Sequence, residues 1–382
     1  MKITRVETFA LPPRWLFCRI ETDDGLVGWG EPVVEGRADT VRTAVHELAG
    51  QFLVGADPLR IEDHWQLMTK GSFYRGGPVL SSAVAGLDQA LWDIAGKAYG
   101  APVHQLLGGP VRERARAYSW VGGDEPAAVR DQIAAQMEAG FTAVKMNGSG
   151  RMDRLPSTAE LNEIAARAEA AREQLGPGGD FAVDFHGRFS VAGAVKAVGV
   201  LEPYGPMFIE EPVLPEYTHL IGRVTSSTTL PVATGERLFS RTDVLPALQE
   251  GVAVLQPDLS HAGGISECRR IASLAEMYDV AIAPHCPLGP LALAASLQLA
   301  FATPNFLIQE QSIGLHYHAG AELFDYVADP EVFRFHEGHL LRPTGNGLGV
   351  EIDEKAVRRA DGSAESWHNP VWRHPDGSFA EW

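Results

Sequence analysis

The sequence predicts an α/β fold, a parallel (β/α) barrel of eight strands preceded by a smaller α+β domain. Apolar runs ending in a carboxylate or an imidazole recur through the middle of the chain. They are FAVDFHG with Asp184, MFIEEP with Glu210, PVATGE with Glu236, VAVLQPD with Asp258, VAIAPH with His285 and FLIQEQ with Glu310. The steps between these residues are 22 to 27 positions, enough for a strand, a loop and a helix, so each reads as one βα unit. The third observation is negative: the first ~110 residues do not follow this rhythm. Parallel strands that share a register of polar ends build one site from residues far apart in sequence, as barrel enzymes do.

In the N-terminal stretch, ITRVETFAL and WLFCRIET read as strands, and Asp23-Asp24-Gly25 as the hairpin turn before LVGWGEP. A helix follows, with Val84, Leu87, Leu91, Ile94 and Ala98 on one face and Asp88 and Lys97 off it. Gly100 and Pro102 end it. From Ala115 the barrel rhythm begins. ARAYSW is the first strand, EPAAVRDQIAAQMEAG a helix and TAVKM the second strand; the six runs above complete eight. MNGSGRMDRLPST supplies a longer loop between the second and third strands. After Glu310 the helical pattern fades into a tail rich in Pro, Gly, Trp and His, with short strand-like pieces such as GLGVEID. The expected division is residues 1–114, 115–325 and 326–382, the last returning to the N-terminal domain.

The 32 Lys and Arg residues are outnumbered by 49 Asp and Glu, for a net charge of −17 without a basic cluster. That balance argues against non-specific nucleic-acid binding and against attraction to anionic membranes. MKITRVETFA lacks the apolar core of a signal peptide, and PLALAASLQLAFAT is interrupted by Gln298 and too short to span a bilayer. Cys18, Cys268 and Cys286 are isolated, which suits a reducing cytoplasm and gives no disulfide framework or zinc knuckle. Cys286 follows His285 directly, yet nothing beside it in sequence would activate it.

Asp184, Glu210 and Glu236 end three consecutive strands, and three converging carboxylates repel one another unless a cation neutralises them. Ligation by carboxylate oxygens with room for water and substrate favours Mg²⁺. Any one of these acids alone reads as a surface or capping residue; the shared register makes the site. Glu211 points to the other side of its strand and is not an equivalent ligand. His186 lies two residues after Asp184, on the same side of the strand, which suits proton transfer beside a ligand. His285 adjoins Asp258 on the neighbouring strand, and a carboxylate holding one imidazole N–H makes the other nitrogen a better base. Glu310 closes the ring where a substrate oxygen would lie. Lys145 and Asn147, candidates for substrate binding, share a face of the second strand, and Asn147 can hydrogen-bond but cannot take a proton. Arg14, Trp15, Tyr74 and Arg75 are candidates for substrate contact from the N-terminal domain, with packing as the competing role.

The order DFHG, IEEP, GER, QPDLSHAGGI, APHCPLGP and QEQS resembles the enolase superfamily in its mandelate racemase-like branch. The resemblance extends over essentially the whole chain, through LPPRW, WGEPV, FYRGGP, AYSWVGG, GLGVEID and WRHPDGSFAEW. It implies a modified TIM barrel of the (β/α)7β type, with an α+β N-terminal capping domain completed by the C-terminal tail. It implies Mg²⁺ on Asp184, Glu210 and Glu236, a base dyad of His285 and Asp258, His186 as general acid, and Glu310 stabilising the intermediate. The implied activity is dehydration of a sugar acid, D-galactonate, to a 2-keto-3-deoxy acid. The branch often has Lys-x-Lys on the second strand; here it is Lys145-Met146-Asn147, which counts against a racemase needing a base on each face. Dehydration of another acid sugar, racemisation or epimerisation, and a non-catalytic binding barrel stay open as alternatives. The expected partner is a small-molecule acid sugar, without nucleic acid or membrane, and the chain is expected to form a homo-oligomer.

Overall fold

The computed structural model describes residues 1–122, 125–313, 322–364 and 367–382. Strands β1 (Ile3–Leu11), β2 (Trp15–Thr22) and β3 (Val27–Gly30) form an antiparallel meander. Helices α1 (Ala38–Leu48), α2 (Ile61–Lys70), α3 (Pro78–Tyr99) and α4 (Val103–Leu106) follow. Pro78 opens α3 and Gly100, at φ 67°, closes it in a left-handed cap. The meander lies so close to α3 that a Cβ on Gly30 would sit 2.0 Å from the Gly86 carbonyl oxygen. That approach explains the glycine of the GEP motif.

α3 departs from its expected amphipathic reading. Ala98 is exposed, whereas Asp88 is fully buried and accepts from the Ser266 backbone N–H (2.9 Å) and hydroxyl (2.6 Å). The helix is sandwiched between the meander and the barrel, so it has no solvent face along its middle and its polar positions must find protein partners.

The barrel runs β4 (Arg114–Val121), α5 (Pro126–Glu138), β5 (Ala143–Asn147), α6 (Thr158–Leu175), β6 (Asp180–Asp184), α7 (Val191–Leu201) and β7 (Phe208–Glu210). It continues with α8 (Gly222–Thr225), β8 (Val232–Thr234), α9 (Arg241–Gln249), β9 (Val254–Leu255), α10 (Gly264–Glu276), β10 (Ala281–Ile282), α11 (Pro290–Ala302) and β11 (Gln309–Glu310). All neighbours from β4 to β10 pair in parallel, and β11 pairs in parallel with β4. A bridge from Ile282 to Phe306 closes the ring. Seven helices between eight strands make this the (β/α)7β variant of the TIM barrel.

Each strand or its immediate flank sends one residue into a dry interior layer: Tyr118, Ala143, Ala182, Phe208, Ala233, Val254, Ala283 and Ile308. The small residues leave room for the two aromatic rings, whose centroids are 6.5 Å apart. Because side chains alternate along a strand, Lys145, Asp184 and Glu210 point to the same interior two residues further on, and form the next layer up.

The tail reaches further than expected. Tyr326 packs edge-on against Trp15 and Phe17, and Glu354 at the start of helix α12 (Glu354–Ala360) accepts from Arg19 (3.2 Å), both on the meander. The hairpin β12 (Phe335–His336) and β13 (His339–Leu341) instead adds to the start of β4. A last hairpin, β14 (Trp372–Arg373) and β15 (Phe379–Ala380), sits at the barrel mouth, where the Arg373 carbonyl accepts from Arg151 (2.8 Å). GLGVEID is not a strand; its Gly347 and Ile352 make single bridges to Pro102 and Val327, and two positive-φ glycines interrupt extended pairing.

Candidate active site

Asp184 and Glu210 are the last residues of β6 and β7, in direct register with each other, while Glu236 lies two residues beyond β8. Carboxylate oxygens of the three lie within 4.8 Å of one another. Burial pushes the Glu210 carboxyl well up, against the pull of Lys145 and with help from Asp184. Burial likewise raises Glu236 to about 7, against the pull of His285. Oε2 of Glu210 is buried without a hydrogen-bond partner. Three crowded oxygen donors, one of them orphaned, fit a hard divalent cation such as Mg²⁺.

Lys145 stands beneath this cluster. Its Nζ is 2.7 Å from Glu210, 2.8 Å from Glu310 and 4.0 Å from Asp184, and 5.5 Å above the Tyr118 ring. The surrounding carboxylates overcome the cost of burial and hold it protonated. Glu310 accepts on both oxygens, from Lys145 and from the Cys286 backbone N–H (2.9 Å). Both Glu310 oxygens thus meet donors, one of them the Lys145 ammonium.

Two histidines flank the cluster from strands four apart in the ring of eight, hence from opposite sides. His285 Nδ1 is 2.7 Å from Asp258 Oδ2, and its Nε2 is 3.2 Å from Glu236. Glu236, Glu310 and Asp258 outweigh burial and lift its pKa to about 10. Opposite, His186 Nε2 is 3.1 Å from Asp184, and Arg188 approaches its Nδ1 at 3.5 Å. Burial, then the charges of Arg188, Arg237 and Lys145, hold His186 well below the usual histidine range. Its placement does not come from strand alternation as expected. β6 ends at Asp184, and His186 has φ 50°, so a left-handed kink turns the ring back over the cluster.

A family model for the enolase C-terminal domain-like fold matches residues 128–356, and one for the mandelate racemase/muconate lactonizing enzyme N-terminal domain matches residues 10–108. The chain belongs to the enolase superfamily. Among its relatives, D-galactonate dehydratase of Ralstonia nicotianae is 55% identical and that of Pectobacterium atrosepticum 54% identical, each aligned over 100% of both chains. A crystal structure of an enolase from Agrobacterium radiobacter, bound to Na and L-malate, superposes with a TM-score of 0.91 at 35% identity and covers 100% of each chain. The mandelate racemase/muconate lactonizing enzyme structure from Jannaschia sp. CCS1 gives 0.88 at 31% identity, covering 96% of this chain and 99% of that one.

Within this enolase-superfamily barrel the remaining candidates separate. Asn147 pairs in register with Asp184, and its Oδ1 is buried without a partner, as a substrate-facing group would be. Arg14 lies at the rim, 3.9 Å from Glu35 and 4.6 Å above the Trp367 ring. Trp15 takes the packing role: it is 1% exposed and belongs to the core with Phe17 and Tyr326. Tyr74 is 82% exposed against Phe73, and the exposed Arg75 folds onto the Ser72 carbonyl; neither is brought to the carboxylate cluster. Cys286 is buried and its thiol is pushed well up, so it is inert.

Sequence reasoning passed over several residues now seen at the site. Arg237 binds Glu211 (2.7 Å) and lies 3.6 Å from Glu236, so Glu211 organises the GER turn. Trp382 stacks on His186 with ring centroids 6.2 Å apart, and His261 shares Asp258 with His285. Only His261 carried a local signal, three residues after an acid in a turn-forming DLSH segment.

Proposed function

We propose that this hydro-lyase removes water from D-galactonate to give 2-dehydro-3-deoxy-D-galactonate, through an enediolate. The carrying observation is that two imidazoles face one carboxylate cluster from opposite sides, and that the acids lifting His285 in the metal-free protein include the ones a cation would neutralise, which would free it to act as a base. Dehydration needs one group to take the C2 proton and another to give a proton to the departing 3-hydroxyl. Asp184, Glu210 and Glu236 would hold Mg²⁺, which supplies charge stabilisation for a developing dianion when bound.

In this reading His285 Nε2 takes the C2 proton while Asp258 holds the opposite ring nitrogen, setting tautomer and orientation. The Lys145 ammonium, steadied by Glu210 and Glu310, faces the substrate carboxylate as its charge grows. His186, whose burial and cationic neighbours disfavour a proton in the free protein, would take one up beside the anionic substrate and give it to the 3-hydroxyl, so the C3–O bond breaks with water rather than hydroxide leaving. The enol then takes a proton at C3 and becomes the ketone. Asn147, in place of a second lysine, offers no base on the other face of C2, which disfavours racemisation. The three buried, free cysteines suit a reducing cytoplasm as the site of action.

The test is incubation of a panel of acid sugars with the Mg²⁺-loaded protein, scoring 2-keto-3-deoxy acid and epimer separately. Keto acid from D-galactonate is expected. Epimer without keto acid, turnover of a different acid sugar alone, or no turnover would overturn the reading.

A further inference from the structure

The loop after β9 carries Asp258 and is gripped from the N-terminal domain. Gln89 of α3 donates to the Leu259 carbonyl (2.8 Å) and to Ser260 Oγ (3.2 Å). Trp65 of α2 donates to the Gly263 carbonyl (3.0 Å). The cap segment after β3 reaches the same region twice. Glu31 accepts from the backbone N–H groups of Gly289 and Ala292, just past His285, and Glu35 approaches His261.

Asp258 sits at the centre of this grip. Its Oδ1 accepts from the backbone N–H of Ser260 (2.6 Å) and of His261 (3.1 Å). Its Oδ2 meets two imidazoles, His285 Nδ1 at 2.7 Å and His261 Nδ1 at 3.1 Å. The far side of the His261 ring, Nε2, lies 3.5 Å from Glu35 Oε2, and Glu35 is 3.9 Å from Arg14. Charges therefore alternate from Arg14 through Glu35, His261 and Asp258 to His285. Burial opposes a charge on His261, but Asp258 and Glu35 more than restore it, and Glu35 itself is held down to about 2. A buried imidazole with carboxylates at both ring nitrogens is a costly feature unless its orientation matters.

We propose that His261 is a positioning residue for the base dyad, locking Asp258 Oδ2 in line with His285, and that Glu35 makes this lock depend on docking of the N-terminal domain. The inference rests on reading His285 as the base. With a hydrogen bond from His285 Nδ1 and an ion-pair contact from His261 Nδ1 on one oxygen, rotation of the Asp258 carboxylate loses both at once. Without His261 the carboxylate keeps its backbone partners on Oδ1 but is free to swing Oδ2 away from His285. A tie that merely glues the two parts together would alter stability or substrate affinity and leave the chemical step alone.

The experiment compares His261→Leu, His261→Gln and Glu35→Gln with the wild type, each Mg²⁺-saturated and checked for folding by circular dichroism. For His261→Leu, kcat on D-galactonate should fall roughly 10–100-fold, the loss typical of removing a residue that orients a functional one, with KM changed less than about threefold. His261→Gln, whose amide can still donate to Asp258, should recover part of the loss, and Glu35→Gln should show a smaller loss of the same kind. A readout without turnover is the low-field Nδ1–H proton resonance of His285, assigned by its disappearance in His285→Asn. It should be sharp in the wild type and shifted or broadened in His261→Leu. A kcat within about twofold of wild type, a loss confined to KM, or an unmoved resonance would overturn the proposal. Should His261→Leu not fold, Glu35→Gln and His261→Gln decide by the same criteria. Should the wild type not turn over D-galactonate, the substrate reading fails while the resonance still tests the lock.

Discussion

Lys145 Nζ lies 2.7 Å from Glu210 Oε1 in the upper interior layer of the barrel, with neither side chain more than 2% exposed. One cation thus shares a site with Glu210, Glu310 and Asp184, and offsets part of their mutual repulsion before any metal binds.

Breaking a buried ion pair from one side leaves an uncompensated charge. Lys145→Met is therefore expected to destabilise the metal-free protein by about 3–5 kcal/mol in urea denaturation. Mg²⁺ should raise the Tm of the variant more than that of the wild type, because the added cation relieves the same repulsion. An unchanged metal-free stability would show that the carboxylates are not charged together.

Metal affinity should depend on pH with a defined sign. Burial lifts Glu236 to about 7 and Glu210 well above its ordinary value in the metal-free protein, so below neutrality a cation must displace protons. The apparent Mg²⁺ affinity, measured by titration calorimetry, is expected to tighten as pH rises through 7, with proton release on the acid side. Glu236→Gln should weaken binding and flatten that dependence. A pH-independent affinity between 5 and 8 would contradict the electrostatics described here.

The two histidines should fail differently. His285→Asn is expected to lose both exchange of the C2 proton with solvent deuterium and dehydration, with Asp258→Asn keeping a residue of each. His186→Asn should keep exchange while dehydration slows by roughly 10²–10⁴-fold, the usual worth of a general acid. A 3-fluoro analogue, whose leaving group needs less protonation, should recover much of that rate. Equal losses on both substrates would assign His186 to the fold or the carboxylate cluster instead.

Asp88 offers a stability test away from the chemistry. Burial raises its pKa from 3.8 to about 7, so across that window the folded protein binds more protons than the unfolded chain. Its contribution to stability is then lost as pH rises through the window. Asp88→Asn removes the titration and can keep a hydrogen bond to the Ser266 N–H. The Tm of the variant relative to wild type should climb between pH 4 and 7; a constant difference would place the carboxylate in a solvated setting.

Much of the barrel was legible because period and spacing are local properties. Asp184, Glu210 and Glu310 end strands where an apolar run meets an acid, and alternation alone directs them into one interior. Glu236, Asp258 and His285 lie two or three residues past their strands, where alternation no longer applies. The spacing placed them near the mouth, but loop geometry aims them. The burial of Asp88, and the choice between packing and substrate contact for Trp15, were not legible for a related reason: one strand or helix shows which residues are apolar, not how many sides another element will cover.

By itself the sequence determined the order of elements, the eight-strand count, the acidic register and the family signature, all written in runs of neighbouring residues. Tertiary structure alone decided which side chains meet. The pairing of Lys145 with Glu210 and Glu310 and the meeting of Glu35 with His261 join residues whose local patterns are silent about one another, and a left-handed turn rather than strand alternation aims His186 at Asp184. Such contacts depend on how a closed barrel and its cap dock, and burial then fixes their strength by removing the water that would screen them.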